Sequence, residues 1–193
     1  MSALQDFIIS RVRVKLIKQF LTSPAELHYV RELTRATSEE INAVRRELLH
    51  MQKVGMLESQ KRGNRVYFWF NKKYRFYEEL LSLVSKTTGL GLSITKNQQR
   101  LGKISFAMIS GRYVRRMPAL QNQVDLLIVG DVIIPQLAVI VKTAEGEIGR
   151  EINYSIMSLE ELTFRKHRRD PFLLDVLRGS RIMLIGDEED FVA

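Results

Sequence analysis

The sequence predicts an α+β fold in two units, and three patterns predict it. Residues 28–70 carry a short lead-in, two helical patterns split by a tight turn, and a strand pair tipped by Lys61-Arg62-Gly63-Asn64-Arg65. Beyond residue 100, strand-like runs alternate with helical stretches, as in a small sheet covered by helices. Between these regions, Thr87-Thr88-Gly89-Leu90-Gly91 shifts the composition and marks a boundary near residue 88, giving units 1–88 and 89–193. At 193 residues and 45% apolar content, each unit can bury a core.

The charge is unevenly placed. The net charge is +8, which favours a polyanionic partner. Residues 1–88 hold 16 Lys/Arg against 9 Asp/Glu, whereas residues 89–193 hold 14 against 13. The basic character therefore belongs to the first unit. With no cysteine there is no disulfide, thiolate metal site or cysteine nucleophile. No run of 18 apolar residues exists and the N-terminus lacks signal-peptide blocks, so a soluble, cytoplasmic chain without a membrane partner is expected.

The first helix is expected over residues 10–21, with Ile9, Val12, Leu16, Ile17 and Phe20 on one stripe and Ser23-Pro24 ending it. A second, over 30–36, offers Val30 and Leu33 to the core. Thr37 and Glu40 then stand at the spacing of a capping box opening the third helix. Ile41, Val44, Leu48 and Met51 form its buried stripe, which leaves Asn42, Arg45 and Arg46 on the opposite face. Gly55 is a C-terminal cap. Two strands follow, over 56–61 and 65–71, the second alternating Val66, Phe68 and Phe70 against Arg65, Tyr67 and Trp69. Lys61, Arg62, Asn64 and Arg65 sit at or beside the turn, where basic residues also discourage edge-to-edge aggregation. A helix over 75–86 carries the stripe Tyr77, Leu80, Leu81 and Val84, which serves either as a connector packed on its own unit or as a dimerisation face.

On Tyr29-Val30-Arg31-Glu32-Leu33, Val44-Arg45-Arg46-Glu47-Leu48 and Val54-Gly55-Met56-Leu57, this portion resembles the winged helix-turn-helix transcriptional regulators. The resemblance implies double-stranded DNA as partner and a homodimer that reads two half-sites. It places Asn42, Arg45 and Arg46 toward base edges, and Lys61, Arg62, Asn64 and Arg65 toward phosphates or a minor groove. Glu39 departs from the pattern. Near the groove-facing end it would repel phosphate unless it accepts from a cytosine amino group or faces away.

In the second unit, strands are expected over 104–109, 124–129, 152–157 and 181–185. Helices are expected over 96–100, 135–144, 159–169 and 172–177. No GxGxxG, Walker loop, HExxH or Ser-His-Asp arrangement is present, and His28, His50 and His167 lie far apart, so no metal site is expected. Ser110-Gly111-Arg112-Tyr113 follows the first strand, and Asp125 falls inside the apolar run Val124-Asp125-Leu126-Leu127-Ile128-Val129-Gly130, where an ionised carboxylate is costly unless paired or used. Together with Gly149-Arg150-Glu151-Ile152-Asn153, Asp170-Pro171-Phe172 and Ile185-Gly186-Asp187, these resemble the minimal nucleotidyltransferase fold. That fold has a Gly-Ser turn at the phosphates and an Asp-x-Asp strand for two metals. Here Arg112 stands at the motif serine and Gln123 at the first carboxylate, and only Asp125 remains, with Glu151 as a further candidate ligand, since Asn153 cannot supply charge. The resemblance thus implies a nucleotidyltransferase-like unit without catalysis or cofactor. Gly111, Arg112, Arg115, Arg116 and Asp125 are its candidate phosphate or effector site. The tail, Asp187-Glu188-Glu189-Asp190, reads as a solvated end.

The preferred reading is a dimeric DNA-binding regulator whose second unit serves assembly, effector sensing (a nucleotide, for example) or protein-partner binding. One alternative is an active nucleotidyltransferase in which Asp125 and Glu151 hold a metal. Another is a protein-interaction module.

Overall fold

A computed structural model of the chain describes residues 8–118 and 123–193. Its contacts divide between Thr87 and Thr88 into two compact units, each with its own sheet and helices, so the chain is α+β. Among the described residues no helix is long and apolar enough to cross a membrane.

The first unit runs α1 (Arg11–Thr22), β1 (His28–Tyr29), α2 (Val30–Thr37), α3 (Ile41–Lys53), β2 (Leu57–Arg62), β3 (Arg65–Phe70) and α4 (Tyr77–Thr87). Ser10 caps α1 by accepting from the Arg13 amide at 3.2 Å. The helix buries Val14, Leu16, Ile17, Phe20 and Leu21. Ile9, expected on that stripe, is instead fully exposed, because the helix begins after Ser10 and leaves Ile9 outside it. The three helices α1, α2 and α3 pack together and enclose Leu33, Val44, Leu48 and Met51. Each such side chain contributes roughly 1.5 to 3 kcal/mol when fully buried.

The expected capping box is not formed. Thr37 is the last residue of α2, and its hydroxyl donates to the Leu33 carbonyl at 2.7 Å. Ser38, at φ +53°, turns the chain, and Glu40 caps α3 itself, its carboxylate accepting from the Asn42 and Ala43 amides at 2.8 and 2.9 Å. At the other end of α3, Gly55 takes φ +78°. Its amide donates to the Gln52 carbonyl and the Met56 amide to that of Met51, a Schellman motif that lets the chain reverse into β2. The sheet order is β1-β3-β2, all antiparallel, with Arg62 opposite Arg65 across the two-residue turn Gly63-Asn64. Helix α4 packs on α1 and buries Tyr77, Leu81 and Val84, with the Tyr77 ring 5.8 Å from that of Phe70. Three of the four stripe residues therefore belong to the core of their own unit rather than to a free dimerisation face, and Leu80 is half-buried.

The second unit runs α5 (Gly89–Lys96), α6 (Gln98–Leu101), β4 (Gly102–Ser110), α7 (Gly111–Val114), β5 (Leu126–Val132), α8 (Ile134–Ile148), β6 (Tyr154–Met157), α9 (Leu159–His167), α10 (Pro171–Arg178), β7 (Arg181–Ile185) and α11 (Glu188–Val192). Its sheet order is β6-β5-β4-β7, with β5 and β6 parallel and joined through α8, and the other pairs antiparallel. Alternation along β5 sends Leu127 and Val129 into a core with Met108, Met157, Leu162, Leu173, Met183 and Phe191. Leu126 and Ile128 point the other way and are also buried, so both faces are covered. The tail is not a loose end. Asp187 caps α11 through the Glu189 amide at 2.7 Å, Arg181 bonds Glu188 at 2.6 Å, and Phe191 is fully buried. A single aromatic anchor offsets the cost of ordering an acidic turn.

Candidate nucleic-acid interface

An open groove of about 1020 Å³ lies in the first unit between α2, the start of α3 and the hairpin tip. Arg31 and Arg35 come from successive turns of α2, Arg45 from the exposed face of α3, and Asn64 and Arg65 from the hairpin. Tyr29 lines it too. The Arg65 guanidinium stands 4.6 Å from the centre of the Tyr29 ring, and Arg35 donates to the Tyr29 hydroxyl at 3.3 Å. Tyr29 is held in place by its pairing opposite Tyr67 in the sheet, where the two rings meet edge to face at 5.9 Å.

Among the described residues no carboxylate lines this groove. The reason is visible in where the acidic side chains of the unit go. Glu32 takes the buried His28 Nδ1 at 2.8 Å. Glu39 turns toward α1 and pairs with Lys15 at 2.6 Å and Arg11 at 3.2 Å. The Lys15 hydrogen bond holds its carboxyl below the usual range. Glu39 thus faces away from the basic face. Glu47 accepts from Ser10 at 2.7 Å and Arg13 at 2.8 Å, and Glu58 from the Trp69 ring N–H at 2.9 Å. Glu40 is occupied with the α3 amides, first that of Asn42 and then that of Ala43, and these lower its pKa. The carboxylates are drawn inward or onto backbone. Among the described residues, Arg31, Arg35, Arg45, Arg46, Arg62 and Arg65 form no ion pair.

Of the residues read from the sequence, Arg45, Asn64 and Arg65 come together in the groove. Asn42 and Arg46 are exposed on α3 beside it. Lys61 and Arg62 are exposed on the hairpin, Arg62 bonding Gln60 at 3.0 Å and lying 5.9 Å from the Tyr67 ring centre. Sequence reasoning missed Tyr29, Arg31 and Arg35. The i, i+4 spacing of the two arginines on a helix that buries Leu33 and Thr37 was the available signal.

The second unit treats its candidate residues differently. Asp125, 5% exposed, accepts from both terminal nitrogens of Arg150, Nη1 to Oδ2 at 2.7 Å and Nη2 to Oδ1 at 3.1 Å, and from the Asn153 amide at 3.2 Å. The hydrogen bond that Arg150 donates to Asp125 raises the Arg150 pKa further. Arg150 also stands 5.4 Å from the Tyr113 ring centre, and burial pushes the Tyr113 hydroxyl up. Both Asp125 oxygens are committed to a fixed cation. Glu151 is exposed, and its backbone carbonyl, not its carboxylate, meets Arg150.

The residues of the expected phosphate set have separate partners. Arg112 donates to the Pro118 carbonyl at 3.2 Å and, with Gln123, Ser110, Asp175 and Ser180, lines a separate cleft of about 90 Å³. Sites for drug-sized ligands usually offer ~300 Å³ or more. Arg115 bonds the Ser180 hydroxyl at 3.2 Å, and Arg116 lies 5.8 Å from the Tyr113 ring centre. Gly111 is required because Ser180 packs where its Cβ would be. Among the described residues no three His, Asp or Glu side chains gather as metal ligands would.

No family model, curated protein or solved structure matches the chain.

Proposed function

We propose that the protein is a sequence-specific, double-stranded DNA-binding transcriptional regulator, acting in the cytoplasm. In this reading residues 1–88 form a winged helix-turn-helix, and residues 89–193 a nucleotidyltransferase-like unit without catalysis. One observation carries the reading. Arginines from α2, α3 and the hairpin line one groove that no carboxylate among the described residues lines, although Glu32, Glu47 and Glu58 lie on the same elements. Guanidiniums that form no ion pair among the described residues and converge on an open channel suit a phosphate backbone, to which each adds a charge-assisted hydrogen bond. The order helix, strand, helix, helix, hairpin is compatible with α3 entering a major groove while the hairpin meets the adjacent backbone. Asn42, Arg45 and Arg46 then read bases, and Lys61, Arg62, Asn64 and Arg65 hold the register.

The second unit serves assembly, effector sensing or partner binding. The Asp125–Arg150 pair supports an inactive reading over a nucleotidyltransferase, since a metal would have to displace Arg150 to reach the carboxylate. A homodimer remains part of the proposal, with a face other than the buried α4 stripe.

The test is selection of bound fragments from a random duplex pool by the full chain. A common motif is expected, and Arg45→Ala or Arg46→Ala should relax it at one or two positions. Recovery of unenriched duplex, or of none, contradicts the reading.

A further inference from the structure

We propose that Tyr29, Arg35 and Arg65 form a clamp for one backbone phosphate of the duplex, a site distinct from the base-reading face of α3. The inference rests on the DNA reading above. Two guanidiniums engage one phenol: Arg65 stacks on its face at 4.6 Å and Arg35 donates to its hydroxyl at 3.3 Å. Neither forms an ion pair among the described residues, and both are exposed. Two like charges brought to one side chain without a counterion repel each other, and an anion between them relieves that repulsion.

The phenol is rigid. Tyr29 pairs with Tyr67 in β1–β3 and meets its ring at 5.9 Å, and its amide reaches Glu32 Oε2 at 3.4 Å. The other Glu32 oxygen holds the buried His28. A locked ring restricts both arginines before the ligand arrives, which lowers the entropy lost on binding. The Arg65 guanidinium makes no hydrogen bond among the described residues, and its free fork matches two oxygens of a phosphate better than a single base atom. The clamp bridges α2 and the hairpin, so it fixes the height of the duplex in the groove without reading sequence.

The experiment measures affinity of the full chain for its selected duplex and for a scrambled one, across a salt series. Arg35→Ala and Arg65→Ala should each weaken both duplexes equally, by about tenfold. The double variant should lower the salt slope by about one unit, because a single phosphate is shared. Tyr29→Phe keeps the stacking face but removes the acceptor for Arg35, and should weaken binding less than Tyr29→Leu. A scan of single neutral methylphosphonate linkages should find one position at which both Arg35→Ala and Arg65→Ala lose their effect. Unchanged affinity, loss confined to one sequence, or two different linkages for the two arginines would each overturn the clamp while leaving DNA binding intact. Wild-type protein that binds no duplex would overturn the clamp and the DNA reading together.

Discussion

Arg150 holds Asp125 through two parallel hydrogen bonds, and the pair sits at the start of β5 with the carboxylate side chain 7% exposed. Removing the cation strands a buried charge. Arg150→Ala should therefore lower stability by roughly 3 kcal/mol, at the low end of the range for broken buried pairs because Arg150 itself is 22% exposed. Urea unfolding measures this. Mg²⁺ should leave the wild-type melting temperature unchanged, since both Asp125 oxygens are engaged. A clear Mg²⁺-dependent rise would contradict the assignment.

Acid should weaken the first unit through Glu39, Glu40 and Glu47. Their pKa values are lowered in the fold, by the Lys15 hydrogen bond at Glu39 and the Asn42 amide at Glu40. At Glu47 burial works upward, but the Ser10 and Arg13 hydrogen bonds outweigh it. A carboxyl depressed on folding supplies stability that is complete above its unfolded pKa, about 4.3. That stability is lost as pH falls through the lower folded value. Glu39→Gln should thus lower the melting temperature at pH 7, and the difference from wild type should narrow at pH 3. A constant difference would mean the carboxylate charge contributes nothing.

Leu81 is buried between α4 and the rest of its unit, not at a subunit boundary. Leu81→Ala should destabilise the unit by about 2 to 5 kcal/mol, the usual range for a core leucine. Sedimentation should show the oligomeric state unaltered. A changed oligomeric state with no loss of stability would restore α4 as an interface.

Gly130 takes φ +141° opposite Ile104, beside the β4–β5 irregularity, and a Cβ there would run into the Lys103 carbonyl. Gly130→Ala should cost about 2 kcal/mol or more, because backbone strain and overpacking act together. Thermal unfolding of the full chain checks this.

What was legible in the sequence was whatever local periodicity encodes. Val44, Leu48 and Met51 of the α3 stripe, the Gly55 reversal, and Phe68 and Phe70 of the alternating strand stand where spacing put them, whereas Ile41 is half-buried and Val66 exposed. Local chemistry that admits two solutions was read wrongly. Thr37 and Glu40 have capping-box spacing, but Ser38 at positive φ gives Thr37 to the end of α2 and leaves Glu40 to cap alone. Long-range pairings were hidden altogether. Nothing in the run around Asp125 signals a partner 25 residues away, and nothing in four acidic residues signals that Phe191 behind them fills the core. The groove shows both cases. Arg45 and Arg65 were legible from the helix face and the hairpin tip, whereas the part of Tyr29 depends on a strand two residues long.

The role proposed for the arginine-lined face of the first unit is to bind duplex DNA. The most direct measurement is the affinity of the full chain for a duplex as salt rises from 50 to 200 mM. With several phosphates contacted, log K should fall linearly with log salt at about 0.9 per contact, a loss on the order of a hundredfold or more. Replacing Arg31, Arg35, Arg45 and Arg65 together by Ala should flatten that line. An affinity that ignores salt, or a slope unchanged in the fourfold variant, would contradict the account.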